Sequence, residues 1–534
     1  MMNTKKIIVT ICSILGLLYI LVSCKKETPK ENELPYLFRP VGFTATVNKT
    51  VATITWLPID SAKSYTLEIS QDSLLFTNII KSEVVTSTTY IIELAGNTRF
   101  SARVKANAGN TEKDSKFNQT LTFKTPAENI FNGYNSYMYD QGATSMAWLP
   151  AANATKLVFR ASGHQDVVFT IADNEKAAGK KTCTGLANGA YTIGIYNNDI
   201  LRGNIQITIE GDVWLNKGAD VTAGLNGITK DSAVVILRPG IYSFGTASYN
   251  FTKNIKIKGL YKDSLTTLCM GGTASATANM FNINTAALNF VRFENIDFTG
   301  YLDGITSINK IGYLFNQNTA CTVGEISFKN CKLHNLNNAP VRVKITGVTI
   351  SNMFFDNCQI YEMSFGAGST YAIISSTVAG SVISNISFSN STIYNYANSF
   401  IAQSASTTNS ITIQNCTFNQ MEIGTTVRYL IDCNTTNTVT NGVNISNCIF
   451  GSTGTLTDGI RFLGGTSLTV AGSYCTNDYI DNHATPTSYT VMARFTPYAG
   501  ASTALFTSPT TGDFTFKDIA FAGAKTAGDP RWKQ

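Results

Sequence analysis

The sequence predicts an all-β protein in which two β-sandwiches precede a solenoid of parallel strands. Three observations predict it: the composition, a motif that recurs after 92 residues, and a second repeat of about 25–35 residues. Hydrophobic residues make up 43% of the 534 residues and charged residues only 14%, against a usual charged share of about 25%. This composition argues against a disordered chain, a coiled coil or a basic nucleic-acid-binding protein, and three histidines argue against a His-rich metal enzyme.

The N-terminus has the pattern of an export signal. Two lysines precede the apolar run Ile7–Val22, which is short for a membrane-spanning helix and ends at Ser23 and Cys24. A small residue before a cysteine at this point resembles the bacterial lipobox, which implies lipidation of Cys24; the alternative is an ordinary secretory signal with a chance cysteine. We therefore expect a lipoprotein signal peptide over residues 1–24. The charged segment 25–35 is expected to be a flexible tether and resembles the export signals of surface lipoproteins in Bacteroidota-type bacteria.

Residues 36–126 are predicted to form the first sandwich. Short alternating runs include Ile54–Pro58 with Trp56, Tyr65–Ile69, and a turn that leads from Leu94 into a late strand. This pattern resembles a fibronectin type III domain, with its core tryptophan, the tyrosine of the next strand and a leucine-turn-aromatic corner. Phe100 stands where that family usually has the corner tyrosine, so the hydroxyl bond of the corner is missing.

Residues 127–211 repeat the same landmarks and are predicted to be a second fibronectin type III-like domain. Trp148 follows Trp56 by 92 residues, and Leu186 follows Leu94 by the same distance. Such modules serve as spacers or as carbohydrate-binding modules. Both tryptophans look like core residues, which favours a spacer.

Residues 212–534 repeat around six asparagines. Apolar residues lie four and two positions before each asparagine and one and three positions after it, with Ser391 as the one exception, so the alternation slips by one residue at the asparagine. A single residue in the left-handed region turns the chain in this way, and asparagine tolerates that region best after glycine. Gly259 and Gly472 occupy the position in two flanking copies, and the same conformation is expected there. The six anchors are Asn295, Asn330, Asn357, Asn390, Asn415 and Asn447.

These units resemble the coils of a right-handed parallel β-helix with its asparagine ladder. The segment Ala233–Tyr242 looks like the first strand and turn of pectate-lyase-like helices, and the end at Gly528–Trp532 is expected to belong to a C-terminal cap. With the lipobox and the sandwiches, the chain resembles surface lipoproteins of Bacteroidota-type polysaccharide-utilisation systems. That resemblance implies an architecture and a location more than an activity.

Eleven cysteines in an exported chain would suggest disulfides, but the positions of four of them favour another role. Cys331, Cys358, Cys416 and Cys448 share one position of the repeat, where we expect stacked, buried, small apolar residues. No CxxC pair occurs, so a zinc site is not predicted.

No catalytic residue is predicted. Lyases of the resembled fold need carboxylates that hold calcium and a base, and hydrolases need paired or tripled aspartates. Asp356, Asp432 and Asp458 look isolated in the sequence, whereas Asp478 and Asp481 are close together. We expect these carboxylates to be turn formers and solvated surface groups. No metal or cofactor is predicted, with calcium reserved for the lyase alternative.

A binding strip is predicted along a third strand of each coil. Arg342, Lys344, Arg428 and Arg461 fall in these strands, and Arg342 and Lys344 alternate with apolar neighbours, so they should point outward. Arginine pairs bidentately with carboxylates such as those of a polyuronate. Tyr371, together with Phe400 and Tyr429, offers stacking surface for sugar rings; the alternative is that the aromatics are core and the bases only solubilise. The residues predicted to contact polysaccharide are Arg342, Lys344, Tyr371, Arg428 and Arg461.

The resulting hypothesis is a lipid-anchored protein of the outer membrane that faces the cell surface and binds polysaccharide, with pectin as the candidate, for a glycan-uptake complex. An alternative is a divergent polysaccharide lyase or glycoside hydrolase acting on pectic glycans. A second alternative is a structural or adhesive surface protein. No nucleic-acid partner is expected.

Overall fold

The computed structural model describes most of the chain beyond the N-terminal segment. The predicted signal peptide, Cys24 and the tether lie outside the described residues. No helix in the described part is long and apolar enough to cross a membrane. The described ranges are 36–72, 74–118, 121–150, 152–272, 277–306, 309–365, 371–433, 439–462, 467–482, 488–489 and 494–533.

The first sandwich is built from seven antiparallel strands in two sheets. One sheet has the order β1-β2-β5 and the other β4-β3-β6-β7. Trp56 is 4% exposed and packs edge-on against Tyr65, and Phe100 is 2% exposed, so the predicted landmarks form the core. The strands are β1 Thr44–Asn48, β2 Val51–Thr55, β3 Ser64–Ser70, β4 Ile79–Val85, β5 Thr89–Glu93, β6 Arg99–Asn107 and β7 Leu121–Lys124, with a 3₁₀ turn at Thr111–Lys113.

The second sandwich repeats the two-sheet arrangement in a diverged form. Its sheets have the orders β11-β10-β13-β14 and β12-β9-β8, and Trp148 is buried as Trp56 is. Burial of both tryptophans agrees with the expectation that they are core residues. The elements are β8 Tyr137–Asp140, β9 Ala143–Ala147, β10 Lys156–Arg160, β11 Val167–Thr170, α1 Asp173–Ala178, β12 Lys180–Cys183, β13 Gly189–Asn197 and β14 Ile200–Ile209.

The chain divides into two compact units. The first contains residues up to 137 with 145–183 and 190–207; the second contains 138–144, 184–189 and everything from 208 onward. Most of the second unit is a solenoid of parallel strands, as predicted; β42 Ser488–Tyr489 is the exception, since it pairs antiparallel with β39 Thr457–Phe462. The solenoid begins with β15 Val213–Leu215 and the short helix α2 Val221–Asn226. Its strands follow one another around three sheets, here named S1, S2 and S3.

S1 and S2 contain ten described strands each and S3 contains nine. The strands of S1 are β15 Val213–Leu215, β16 Ala233–Leu237, β19 Ile255–Gly259, β22 Ala287–Glu294, β25 Cys321–Lys329, β28 Val348–Asp356, β31 Val382–Ser389, β34 Ser410–Gln414, β37 Val443–Ser446 and β40 Leu468–Ala471. Those of S2 are β17 Ile241–Ser243, β20 Thr266–Cys269, β23 Ile296–Thr299, β26 Lys332–Leu336, β29 Gln359–Met363, β32 Thr392–Tyr396, β35 Thr417–Asn419, β38 Ile449–Phe450, β41 Tyr474–Cys475 and β43 Thr496–Pro497. Those of S3 are β18 Tyr249–Phe251, β21 Asn279–Ile283, β24 Tyr313–Gln317, β27 Val341–Val343, β30 Ile374–Ser376, β33 Ile401–Ala402, β36 Arg428–Cys433, β39 Thr457–Phe462 and β42 Ser488–Tyr489.

The six repeat asparagines turn the chain from S1 to S2. Each has a positive φ between 51° and 58°, so the predicted left-handed turn is confirmed. Their side chains form a ladder: the amide of Asn330 donates to Asn295 Oδ1 at 2.9 Å, and that of Asn357 donates to Asn330 Oδ1 at 2.9 Å. The ladder is interrupted at the next coil, where Asn390 donates to Asp356 at 2.8 Å instead of to Asn357.

The two flanking glycines differ from each other. Gly472 has φ +56° as predicted, but Gly259 does not adopt a left-handed backbone, so that part of the prediction is wrong. The last residue of β19 is glycine for a different reason: a Cβ there would lie 2.2 Å from the carbonyl oxygen of Asn295. Close packing against the next coil, and not the turn, requires glycine at this point.

The interior of the solenoid is a continuous apolar core. Phe293, Phe328, Phe355 and Phe388 stack coil upon coil with ring centroids 5.1, 4.9 and 4.5 Å apart. The four cysteines of the repeat are buried, and no described cysteine is disulfide-bonded, in agreement with the predicted apolar role.

The C-terminal segment packs on the outer face of S2. It contains the helix α3 Ser502–Leu505, the hairpin of β44 Phe506–Ser508 and β45 Asp513–Phe516, and 3₁₀ turns at Pro509–Thr511 and Pro530–Trp532. Phe506 and Phe514 form a small core with Ile449 of S2. The predicted cap therefore covers a side of the solenoid.

Candidate ligand-binding cleft

A single register row crosses the outer face of S3. Asn316 of β24 lies opposite Arg342 of β27, which lies opposite Ser375 of β30. The row continues through Ala402 and Asp432 to Arg461 of β39. Toward the N-terminus, the register of β18, β21 and β24 extends it to Asn250 and Asn282. The row is polar at every position except Ala402.

A cleft of about 410 Å³ opens over the C-terminal half of this row. Tyr371, Arg428 and Arg461, three of the five residues predicted to contact ligand, line it. The other lining residues are Ser375, Thr377, Asn398, Ser399, Ala402, Val427, Tyr429 and Asp432. The cleft therefore brings together two guanidinium groups, one carboxylate and several hydroxyl and amide groups.

Arg461 is held in place by its neighbours in the cleft. Its Nε and Nη2 atoms donate to the two carboxylate oxygens of Asp432 at 3.1 and 2.9 Å, and its guanidinium lies 4.3 Å from the centre of the Tyr429 ring. Burial disfavours the charged form of Arg461, but the hydrogen bonds and the negative charge of Asp432 have a larger effect and raise the pKa of Arg461. This arginine is a fixed, permanently charged element of the wall.

Arg342 is held by aromatic rings. Its guanidinium lies 3.9 Å from the centre of the Tyr371 ring and 5.9 Å from that of Tyr313. No carboxylate in the described part of the chain forms an ion pair with Arg342. It stacks on Tyr371, and it also acts on Tyr313, whose pKa is raised by burial and partly lowered again by Arg342.

Two of the predicted residues lie outside the strands to which they were assigned. β27 ends at Val343, so the exposed Lys344 follows the strand, and Tyr371 precedes β30 by three residues. One face of the Tyr371 ring is covered by Arg342, and Phe400 is fully buried against Phe388 and Phe418. Phe400 is thus a core residue, and Tyr429 is buried beneath Arg461, so of these three aromatic residues Tyr371 alone leaves part of its ring for a sugar to stack on.

Arg428 differs from Arg461 in having no carboxylate that neutralises it directly. It forms no ion pair within the described residues, and its buried Nε lacks a hydrogen-bond partner there. Burial raises the pKa of a carboxyl group in the interior, that of Glu422, and the charge of Arg428 opposes this rise. Arg428 therefore belongs both to the cleft and to a buried cluster behind it.

The buried cluster was not predicted from the sequence. Glu422 is 1% exposed and Asp458 is fully buried, and both act electrostatically on Tyr479, as does Asp481. Desolvation raises the pKa of Glu422 well above its usual range, and the neighbouring Asp481 and Asp458 raise it further. The side chain is therefore neutral over a wider pH range than an ordinary glutamate.

The expectation that the aspartates are isolated surface groups is wrong for two of them. Asp432 pairs with Arg461, and buried Asp458 helps to raise the pKa of that arginine. One signal was available in the sequence: Asp432 and Arg461 are one coil apart and occupy equivalent positions of their third strands. By contrast, Asp356 serves the asparagine ladder, and Asp478 accepts hydrogen bonds from Ser502 at the start of α3.

A histidine–aspartate pair lies on the outer face of S2. Nε2 of His334 is 2.8 Å from Asp297 Oδ1, and the ring stacks on Tyr361 at 4.8 Å, which in turn stacks on Tyr394 at 5.0 Å. The rings of His334, Tyr361 and Tyr394 stack face to face on one another, so this aromatic stack stabilises S2. Among the residues described, no group of three or more His, Cys, Asp or Glu side chains is placed to hold a metal ion.

Comparison with known proteins gives a match for the last part of the chain. Residues 411–532 match a family described as a domain of unknown function, DUF5123. That span contains Arg428, Arg461 and Glu422 as well as the C-terminal segment on S2. No curated protein matches the chain.

Solved structures similar to the chain include fibronectin type III domains. The FN1–FN3 domains of chicken CNTN1 are 15% identical over 33% of this chain and 68% of that one, with a TM-score of 0.15. A two-domain fibronectin type III segment of chicken tenascin is 14% identical over 32% of this chain and 97% of that one, with a TM-score of 0.17. A structure titled FN3tt mut is 26% identical over 17% of this chain and 97% of that one, with a TM-score of 0.15.

Proposed function

We propose that this chain is a cell-surface protein that binds an acidic polysaccharide, with a polyuronate such as pectin as the ligand, along the outer face of S3. The observation that carries the proposal is the register row together with the cleft over its C-terminal half. Fibronectin type III-like sandwiches and a parallel solenoid fit a surface protein, and the sugar-binding assignment rests on the chemistry of the row.

The spacing of the row suits an extended chain. Adjacent strands lie about 4.8 Å apart, so the four steps from Arg342 to Arg461 span about 19 Å. A polysaccharide that runs across the strands meets one polar side chain at nearly every step. Asn, Ser and Tyr groups bind sugar hydroxyls, while the arginines add a preference for acidic units.

The charges explain why the ligand should be acidic. Asp432 neutralises Arg461, whereas Arg342 and Arg428 have no ion-pair partner in the described part of the chain. A ligand carboxylate supplies that partner and gains charge-assisted, bidentate hydrogen bonds. Contacts of this kind contribute about 1.5–3 kcal/mol each.

The proposed location rests on the N-terminal sequence. A lipid on Cys24 would hold the chain at the outer membrane, facing the cell surface, where an uptake complex for glycans would be its partner. Labelling with radioactive palmitate tests the anchor. We expect incorporation into the wild type and none into Cys24→Ser; equal labelling of both would refute it.

The binding proposal is tested by titration calorimetry of the mature chain with polygalacturonate and with a neutral galactan. We expect saturable binding of polygalacturonate, with Arg342→Ala and Arg428→Ala each weakening it roughly 10- to 150-fold. Arg292→Ala is the matched control, because Arg292 is an exposed arginine of S1 paired with Glu325 at 2.7 Å. It should leave the affinity unchanged.

The outcomes separate the alternatives. Binding that neither Arg342→Ala nor Arg428→Ala weakens would refute the S3 site. A sustained heat flow proportional to protein would indicate turnover and therefore a lyase or a hydrolase. Absence of any heat with either glycan would favour a structural or adhesive role.

A further inference from the structure

Glu422 is the most unusual residue of the solenoid. It lies between β35 and β36, on the turn from S2 to S3, with φ +53° and 1% exposure. A left-handed backbone is uncommon for glutamate and is strained. Within the described residues, neither of its carboxyl oxygens has a hydrogen-bond partner of good geometry.

The polar groups around Glu422 are also buried without hydrogen bonds. The hydroxyls of Tyr396 and Tyr479, at 0% and 1% exposure, have no hydrogen-bond partner in the described part of the chain. Thr457 Oγ1 lies near enough to lower the pKa of Glu422, but it makes no hydrogen bond of good geometry. Three elements besides the turn itself thus present unsatisfied polar groups to one carboxyl.

The charged groups that face Glu422 come from each neighbouring element. Asp458 lies on β39 and Asp481 on the segment after β41, and both disfavour its ionised form; Arg428 on β36 is the cation that favours it. Arg461 is paired with Asp432 and is also influenced by Asp458 of the cluster. Arg428 is the one cation among the described groups acting on Glu422, and it also lines the cleft.

We propose that Glu422, with Asp458 and Asp481 beside it, controls the availability of Arg428, so that binding of an anionic ligand in the cleft is coupled to uptake of a proton by Glu422. The proposal rests on the proposed function, because it concerns the same cleft. Glu422 acts through Arg428 and is a positioning residue.

The coupling follows from competition for one guanidinium. When Glu422 is ionised, it attracts Arg428 inward and cancels part of the positive potential that a ligand meets. When Glu422 is protonated, this attraction is lost and Arg428 can pair with a ligand carboxylate. Because linkage is reciprocal, a bound anion near Arg428 must raise the affinity of Glu422 for its proton.

The direction of the pH dependence follows. Affinity should fall as pH rises through the range in which Glu422 ionises, by at most tenfold per pH unit for one linked proton. The proton is taken up by Glu422, whose pKa is raised by burial and by the two neighbouring aspartates. Below about pH 4 the ligand carboxyls are themselves protonated, so affinity should fall on that side too.

The experiment is titration calorimetry of the mature chain with polygalacturonate at several pH values above about pH 5, each in two buffers of different ionisation enthalpy. The difference between the buffers gives the number of protons taken up on binding. Dextran sulfate, whose charge does not change over this range, separates titration of the protein from titration of the ligand.

The variant Glu422→Gln removes the titrating carboxyl and keeps the shape of the side chain. We expect the wild type to take up a fraction of a proton and to lose affinity at high pH, and Glu422→Gln to do neither. Glu325→Gln is the matched control, since Glu325 lies on S1 and pairs with Arg292. It should behave as the wild type.

Each outcome decides the proposal. Proton uptake that vanishes in Glu422→Gln supports it. Binding by the wild type with no proton uptake at any pH overturns it and leaves the proposed function standing, as does equal uptake by the wild type and Glu422→Gln. Absence of binding at every pH refutes both. Should Glu422→Gln fail to fold, Asp481→Asn takes its place: it removes a charge that raises the pKa of Glu422, so the pH range of proton uptake should move to lower pH, and an unchanged range would overturn the proposal.

Discussion

Arg531→Ala should release the C-terminal segment from the outer face of S2. Nη1 of Arg531 pairs with Asp529 Oδ2 at 2.9 Å, and Nη2 donates to Asn357 Oδ1 at 2.8 Å. That oxygen is free for Arg531 because Asn390 turns to Asp356, at the interruption of the asparagine ladder. The arginine therefore fills a gap in the ladder and neutralises a buried carboxylate at the same time.

The magnitude follows from burial. The Asp529 side chain is 0% exposed and that of Arg531 is 25% exposed. Removal of one partner of a buried pair costs about 3–5 kcal/mol, and the partial exposure of Arg531 places the expected loss near the lower end, about 3 kcal/mol. Asp529→Asn combined with Arg531→Ala should recover most of this loss, because no unpaired charge remains buried.

The pH dependence of the loss has a definite sign. Burial raises the pKa of Asp529, and Arg531 opposes that rise, so Arg531→Ala should raise the pKa further. A raised carboxyl pKa gives stability that is complete below the unfolded value and is lost as pH rises through the folded value. The deficit of Arg531→Ala should therefore be largest at neutral pH and shrink toward about pH 4.

Hydrogen exchange measured by mass spectrometry is the assay, because it reports the opening of this segment separately from the rest of the chain. A loss of about 3 kcal/mol corresponds to exchange on the order of 100-fold faster in residues 502–533. Exchange there that matches the wild type, or a deficit that grows as pH falls, would refute the reasoning.

Three further predictions concern the solenoid. Phe355→Ala removes a fully buried ring stacked between two others and should cost about 3–5 kcal/mol, measured as a lower unfolding temperature; a change under about 1 kcal/mol would show that the stack collapses without loss. Asn330→Ala should lower the free energy of unfolding more than Asn330→Gly, because both variants lose the hydrogen bonds of the ladder but only alanine is strained at φ +51°. Equal losses of stability would show that the hydrogen bonds account for the whole effect and that backbone strain contributes nothing. Glu422→Gln should raise the unfolding temperature above about pH 5 by an amount that grows with pH, because the raised pKa of Glu422 costs stability as pH increases; a constant difference would show that this carboxyl does not titrate in the folded chain.

Local patterns determined much of the architecture. The slip in alternation at each repeat asparagine predicts a left-handed residue, and all six asparagines adopt that conformation, because the requirement is local to one residue. The two tryptophan motifs predict the cores of the sandwiches for a similar reason, because the alternation of apolar and polar residues along a strand indicates which face of the strand is buried. Gly259 shows where local patterns fail to predict structure. Glycine is required there because the carbonyl oxygen of Asn295, on the next coil, leaves no room for a Cβ atom, and the residues around Gly259 in the sequence do not reveal that contact.

The contacts within the candidate site depend on how neighbouring coils stack. Asp432 and Arg461 are 29 residues apart, and Glu422 and Asp458 farther still, yet the coil brings the members of each pair together. The residue types that line the cleft could be read from the sequence, including Tyr371, Arg428 and Arg461. Which arginine is neutralised, which ring face is covered and which carboxyl is buried depend on the register of neighbouring coils and on loops of unequal length. Strand character and turns are properties of a few successive residues, so the sequence alone determined them, whereas charge pairing and burial arise between residues a full coil apart and only the tertiary structure decided them.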